Sequence, residues 1–147
     1  MANKLTKLLQ VAFCTNFQLY FQSHVAHVNT VGRNFYSDHK LLQKIYEDAQ
    51  EQIDTYAEFL RTLEATMPPT LADIIDGSEI SDSGDAMSDL GYLQRIYNIT
   101  ETTIDLLTEL YPIAESARQF GLSGFIQERL ITHRRFCWML RSILEAK

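Results

Sequence analysis

Apolar side chains recur at helical spacing through four long stretches of this chain. Leu5, Leu8, Leu9, Ala12, Phe13, Leu19 and Tyr20 keep that rhythm between Lys4 and Val28, a run without Gly or Pro, which predicts a first helix there. Val31-Gly32-Arg33-Asn34 reads as a turn. From about Tyr36 to Leu63, the side chains of Leu41, Leu42, Ile45, Ala49, Ile53, Tyr56, Leu60 and Leu63 fall on one side at about 100° per residue. That pattern predicts a second helix, ended by Pro68 and Pro69. Residues 70–89 are the longest polar connection, with Leu71-Ala72-Asp73-Ile74-Ile75 able to form a short helix inside it. Asp76-Gly77-Ser78 and Ser81-Asp82-Ser83-Gly84-Asp85 are loop chemistry. A third helix is expected to begin at Ser88 or Asp89, either able to cap it, and to run to about Phe120, with Pro112 kinking it or lying in an irregular turn. Gly121-Leu122-Ser123-Gly124 reads as a break with Ser123 as a cap, followed by a last helix over about Phe125 to Glu145.

No strand alternation with hairpin turns, internal repeat or low-complexity tract occurs. The first and last connections are short, which favours antiparallel neighbours, whereas the middle one is long enough to cross from one end of a bundle to the other. The fold expected is therefore all-α: a ferritin-like four-helix bundle over residues 1–147, one domain, with a short helix in the long crossover between the second and third helices.

Composition narrows the function classes. With 147 residues, 46% of them hydrophobic and 22% charged, the chain can bury a core without metal or disulfide staples. Cys14 and Cys137 are too few for a disulfide scaffold, and no CxxC marks a zinc ribbon or redox pair. No apolar run spans a membrane and the first residues lack a secretory pattern, so a cytoplasmic protein with reduced thiols is expected. A net charge of −6 argues against a nucleic-acid-coating module.

The second helix carries the richest chemistry. Taking His39 as zero, Gln43 lies near 40°, Asp54 near 60°, Glu47 near 80° and Glu58 near 100°, so five polar side chains share about a quarter of the surface. A solvated face is the plain interpretation; metal ligation by carboxylate and imidazole, a set suited to iron, manganese or zinc, is the other. His39 and Asp54 stand roughly 22 Å apart along one helix, so they cannot share an ion within one chain. They can if two copies of the helix lie antiparallel across a two-fold axis, which creates two identical sites per pair. His24 and His27 share a face of the first helix, and the turn at Gly32 allows His27 to fold back near His39. His133, beside Arg134 and Arg135, reads as a surface residue, and Arg129, Arg134, Arg135, Arg141 and Lys147 read as a solvated basic face. ExxH, HExxH, Walker, GxGxxG and GxSxG motifs are all absent, so the intrasubunit di-iron pattern of carboxylate bundles is not encoded. The acidic loop Asp82-Ser83-Gly84-Asp85 does not match an EF-hand.

The segment from His27 to His39, His-Val-Asn-Thr-Val-Gly-Arg-Asn-Phe-Tyr-Ser-Asp-His, resembles the signature His-Trp-Asn-x-x-Gly-x-x-Phe-x-x-x-His of the Dps family, the mini-ferritins called DNA-binding proteins from starved cells. Asp54-Thr55-Tyr56-Ala57-Glu58 is similar to that family's Asp-x-x-x-Glu, and Phe136-Cys137-Trp138-Met139-Leu140 to its last-helix ending. The resemblance implies a hollow dodecamer of 23 symmetry whose ferroxidase centres lie between two-fold-related subunits. It implies that ferrous iron is oxidised there by peroxide or oxygen and stored as ferric mineral, protecting DNA from oxidative damage. Carried over residue by residue, His27 and His39 of one subunit pair with Asp54 and Glu58 of its neighbour, with zinc or manganese as possible substitutes for iron.

Two positions depart from the signature. The family's Asp four residues after the second His is Gln43 here, a neutral and weaker oxygen donor, and Glu47 one turn further on is the alternative ligand. The signature Trp is Val28. These departures define a second reading: a Dps-fold shell with a degenerate ferroxidase centre, acting in DNA compaction or protein interaction. Many members bind DNA, and a nucleoid association would follow from that. Here twelve copies would carry a formal charge of about −72 with no Lys-rich tail, and no DNA-binding residue stands out. A helical adaptor that forms no cage is a third class.

Overall fold

The computed structural model describes residues 2–84 and 89–145. Its elements are α1 (Ala2–Asn29), α2 (Phe35–Thr62), α3 (Leu71–Gly77), α4 (Asp89–Ser116) and α5 (Phe120–Leu144). The four long helices form the expected bundle: α1 packs on α2 and α4, α4 on α5, and α3 lies in the crossover against α1. Ser88, Asp85 and Lys147, named above as a cap, a loop acid and part of a basic face, lie outside the described residues.

Local chemistry explains where the helices stop. The α1–α2 turn needs Gly32, which adopts φ 125°, a conformation that side chains with a Cβ avoid. At the end of α2, Glu64 turns left-handed (φ 62°), its N–H bonds the Arg61 carbonyl, and the Ala65 N–H reaches the Leu60 carbonyl at 2.9 Å. That is a Schellman closure, which satisfies carbonyls left over at the helix end. The same closure ends α4: Arg118 has φ 59°, its N–H bonds Glu115, and the Gln119 N–H bonds Ala114. Thr70 caps α3, its hydroxyl accepting from the Asp73 N–H at 3.1 Å.

The closure at Arg118 corrects the sequence-based boundary. The break falls at residues 117–119 rather than at Gly121-Leu122-Ser123-Gly124, α4 stops at Ser116 rather than near Phe120, and both glycines lie inside α5. Ser123 does not cap: it is buried in the first turn and donates to the Gln119 carbonyl at 3.1 Å. Two non-glycine residues bear the left-handed turns, so glycine position misdirected the reading. Pro112 is retained within α4 at an exposed point, where solvent can satisfy the carbonyl its missing N–H leaves free.

The apolar core divides into two clusters. Leu5, Leu9, Phe13, Tyr56, Leu60, Leu107, Leu110 and Ile126 belong to one, and Leu19, Leu42, Ile45, Ala49, Leu93, Ile96, Phe136 and Leu140 to the other. Between them on three of the long helices sit buried polar residues: Thr15 and Asn16 on α1, Thr100 and Thr103 on α4, Arg129 and His133 on α5. Asp48 of α2 reaches into the same layer. Its carboxylate takes two hydrogen bonds from the Arg129 guanidinium, Nη1 to Oδ1 at 3.1 Å and Nη2 to Oδ2. This layer overturns two expectations. Arg129 is not part of a solvated basic face, and His133 is not a surface residue: both are buried, His133 completely. Their sequence neighbours Arg134 and Arg135 are exposed, because residues one apart on a helix point about 100° away from each other.

A pH dependence follows. Burial, and then the Arg129 charge, push the His133 imidazole down from 6.5 to about 3. The unfolded chain takes up this proton near pH 6.5 and the folded chain only near 3, so the contribution to stability is whole above 6.5 and is lost as pH falls through that window. Urea denaturation at a series of pH values is expected to show a loss of about 1.4 kcal/mol per pH unit from this group, and His133→Gln to flatten that slope.

Candidate metal centre

His27 and His39 are brought together where α1 turns into α2. The imidazoles stack with centroids 3.7 Å apart and 15° between planes. Each ring is fixed by the other residue's backbone: His27 Nδ1 lies 2.7 Å from the His39 carbonyl oxygen, and His39 Nδ1 lies 2.7 Å from the His27 carbonyl oxygen. A carbonyl only accepts, so both Nδ1 atoms carry the proton and both Nε2 atoms keep their lone pairs. This is the arrangement that orients a metal-binding histidine: tautomer and ring direction are set by a backbone acceptor behind it. His27 is buried and His39 half-buried, so the pair is rigid yet near the surface.

Aromatic rings brace the pair. Phe35 stacks on His39 at 4.9 Å, and Tyr46 lies 5.0 Å from the His27 ring. His24 stacks on Tyr46 at 4.1 Å and 4°, with its Nδ1 3.4 Å from the Tyr20 hydroxyl. His24 therefore supports the wall around His27. Tyr46 was missed in the sequence reading, although it stands seven residues after His39 and so shares its face.

The α2 stripe resolves into two further pairs. Gln43 Nε2 donates to Glu47 Oε1 at 2.7 Å, so the amide at the departing position holds the next carboxylate. Asp54 and Glu58, both exposed, lie close enough that a hydrogen bond to Asp54, and then its charge, raise the Glu58 carboxyl above its ordinary value. Two carboxylates held together in this way favour a shared proton or a cation between them. His39 and the Asp54–Glu58 pair stand apart along α2. Among the described residues, no group of three or more His, Cys, Asp or Glu side chains can hold a metal ion within a single chain. The two thiols take no part: burial pushes Cys14 and Cys137 up to about 11, and Cys14 packs against Gly77, where a Cβ would come within 2.8 Å of its sulfur.

Among known proteins, the sequence pattern of the Ferritin family, a Ferritin-like domain, matches residues 6–146. The chain is 24% identical over 132 residues to a DNA protection during starvation protein of Brevibacillus brevis, covering 86% of this chain and 85% of that protein. It superposes on the crystal structure of antigen TpF1 from Treponema pallidum with a TM-score of 0.92 and 25% identity, over 99% of this chain and 94% of that one. A Dps protein from Vibrio cholerae O1, described as a member of a broad superfamily of ferritin-like diiron-carboxylate proteins, superposes with a TM-score of 0.91 and 21% identity, over 98% of this chain and 91% of that one.

Proposed function

The chain belongs to the ferritin-like family, and on that premise we propose that it is a Dps-type mini-ferritin that oxidises ferrous iron between two-fold-related copies. In that arrangement the Nε2 atoms of His27 and His39 from one copy meet the carboxylates of Asp54 and Glu58 from its partner, and the substrate ion lies in the seam. Two ferrous ions give one electron each to hydrogen peroxide, whose O–O bond breaks to yield two waters after uptake of two protons, so no hydroxyl radical leaves. The ferric product collects as mineral inside a closed homo-oligomer, a dodecamer of 23 symmetry, and DNA is spared by the removal of both reactants.

The observation that carries this reading is the reciprocal clamp of His27 and His39. Two imidazoles with protonated Nδ1 and free Nε2 are costly to arrange for packing alone, and each lacks only acidic partners. An apolar groove of about 200 Å³, lined by Phe17, Phe21, Leu71, Ile74 and Ile75, adds support for assembly, as do the exposed side chains of Val28, Val31 and Tyr36 beside the clamp. Mixing the protein anaerobically with ferrous salt, adding peroxide and following ferric absorbance tests it; a rate equal to that of buffer would reject it. Light scattering separates a cage from a helical adaptor, which would run at the mass of one or two 16.9 kDa chains.

Gln43 favours the second reading, a shell whose oxidation centre has weakened, and anaerobic titration with zinc or ferrous ion discriminates: stoichiometric binding at the seam argues against decay. The Gln43–Glu47 pair supplies its own test. Gln43→Asp restores a charge beside His39 and is expected to speed ferrous oxidation by about tenfold, the ~1.4 kcal/mol that part of a unit-charge interaction provides. Glu47→Gln is expected to slow it, and stopped-flow absorbance reads both.

A further inference from the structure

The polar layer in the middle of the bundle has a composition that packing does not require. Asp48 of α2 offers a carboxylate, His133 of α5 an imidazole, Tyr56 of α2 a phenol and Asn16 of α1 an amide oxygen. Four buried atoms in this layer have no hydrogen-bond partner: Asn16 Oδ1, Tyr56 Oη, Arg129 Nε and His133 Nδ1. Inward-facing carboxylate and imidazole donors from facing helices are the parts from which ferritin-like bundles build metal centres in their cores. Here a guanidinium sits among them. Arg129 Nη1 and Nη2 take both oxygens of Asp48, and Nη2 also points at His133 Nε2 at 3.4 Å, with the Tyr56 hydroxyl beside the same group. Because a guanidinium only donates, His133 Nε2 must accept, and the lone pair that could bind a metal is already engaged.

We infer that Arg129 determines where this chain accepts metal: it fills the bundle interior as a fixed cation and so confines divalent ions to the outer face of α2 and the His27–His39 corner. The physical reason is charge and lone-pair count. One carboxylate is neutralised by one guanidinium; a divalent ion entering beside it would face a fixed positive charge in a poorly solvated layer, with the carboxylate and the imidazole nitrogen both occupied. Without the guanidinium, the Asp48 carboxylate is left unbalanced beside the neutral His133 imidazole and Tyr56 phenol, in a space vacated by a large side chain. The outer location rests on the metal binding proposed above, whereas the exclusion of ions from the core by Arg129 does not.

The test uses the full chain with its outer ligands disabled by His27→Ala and Asp54→Asn, titrated anaerobically with cobalt(II). With Arg129 intact, no cobalt is expected to bind in the core. Adding Arg129→Ala is expected to produce one cobalt per chain with a visible d–d absorption band, which His133→Gln abolishes; Arg129→Lys is expected to bind none. A core cobalt in the Arg129 chain, recognised by its loss on Asp48→Asn, would overturn the inference. So would a folded Arg129→Ala chain that takes up no ion. If Arg129→Ala unfolds alone, restoration of its helical circular dichroism by cobalt supports the inference, and failure of excess cobalt to restore it counts against it.

Discussion

Replacing His27 and His39 together with alanine is expected to reduce ferrous oxidation by peroxide to the rate of protein-free buffer, while helical content and particle size stay unchanged. Both rings sit at the α1–α2 junction, outside the two apolar clusters that hold the bundle together. What the substitution removes is the reciprocal clamp, in which each Nδ1 is held at 2.7 Å by the other residue's carbonyl and each Nε2 keeps its lone pair. The clamp couples the two residues, so each single replacement is expected to cost most of the activity: the remaining imidazole keeps its backbone acceptor but loses its stacked neighbour and its co-ligand. Stopped-flow ferric absorbance for the two singles and the double measures this. Activity in the double variant equal to that of the parent would remove the seam site.

The second large effect is on stability. Asp48→Ala is expected to cost about 3–5 kcal/mol, because it leaves the Arg129 guanidinium buried with no counter-charge. Arg129 is 4% exposed, and its Nε already lacks a partner. Replacing both members, Asp48→Leu with Arg129→Met, is expected to recover most of that loss, since an apolar pair of similar volume needs no compensation. Urea denaturation at one fixed protein concentration reads both, the fixed concentration keeping any contribution of assembly the same for each variant. Equal losses in the single and double variants would show that the ion pair itself carries little weight.

Several of these features were legible before any coordinates. The α2 stripe predicted from period alone is buried as expected at Leu42, Ile45, Ala49, Tyr56 and Leu60, and the short helix in the crossover lies at Leu71–Gly77. The resemblance to Dps was carried by His27, Gly32, Phe35 and His39, and the family match over residues 6–146 agrees with it. The metal-binding roles of His27, His39, Gln43, Glu47, Asp54 and Glu58 belong to the proposed function. The polar layer was not legible: Asp48 and Arg129 are 81 residues apart, and a charged residue on an amphipathic helix ordinarily faces water.

Local chemistry along the chain thus determined the helices, the bundle and the acidic and imidazole positions on α2, because helical period and turn residues act over a few residues. Tertiary structure alone decided two things: that His27 and His39 lock each other's tautomers, and that Arg129 and His133 lie inside rather than outside. Each depends on contacts whose geometry is set by how one helix is rotated against another or by which rotamers neighbouring side chains adopt, and a one-dimensional pattern leaves that free. The boundary between α4 and α5 was not legible either, since the left-handed turn of its local closure fell on Arg118, a residue with no intrinsic preference for it.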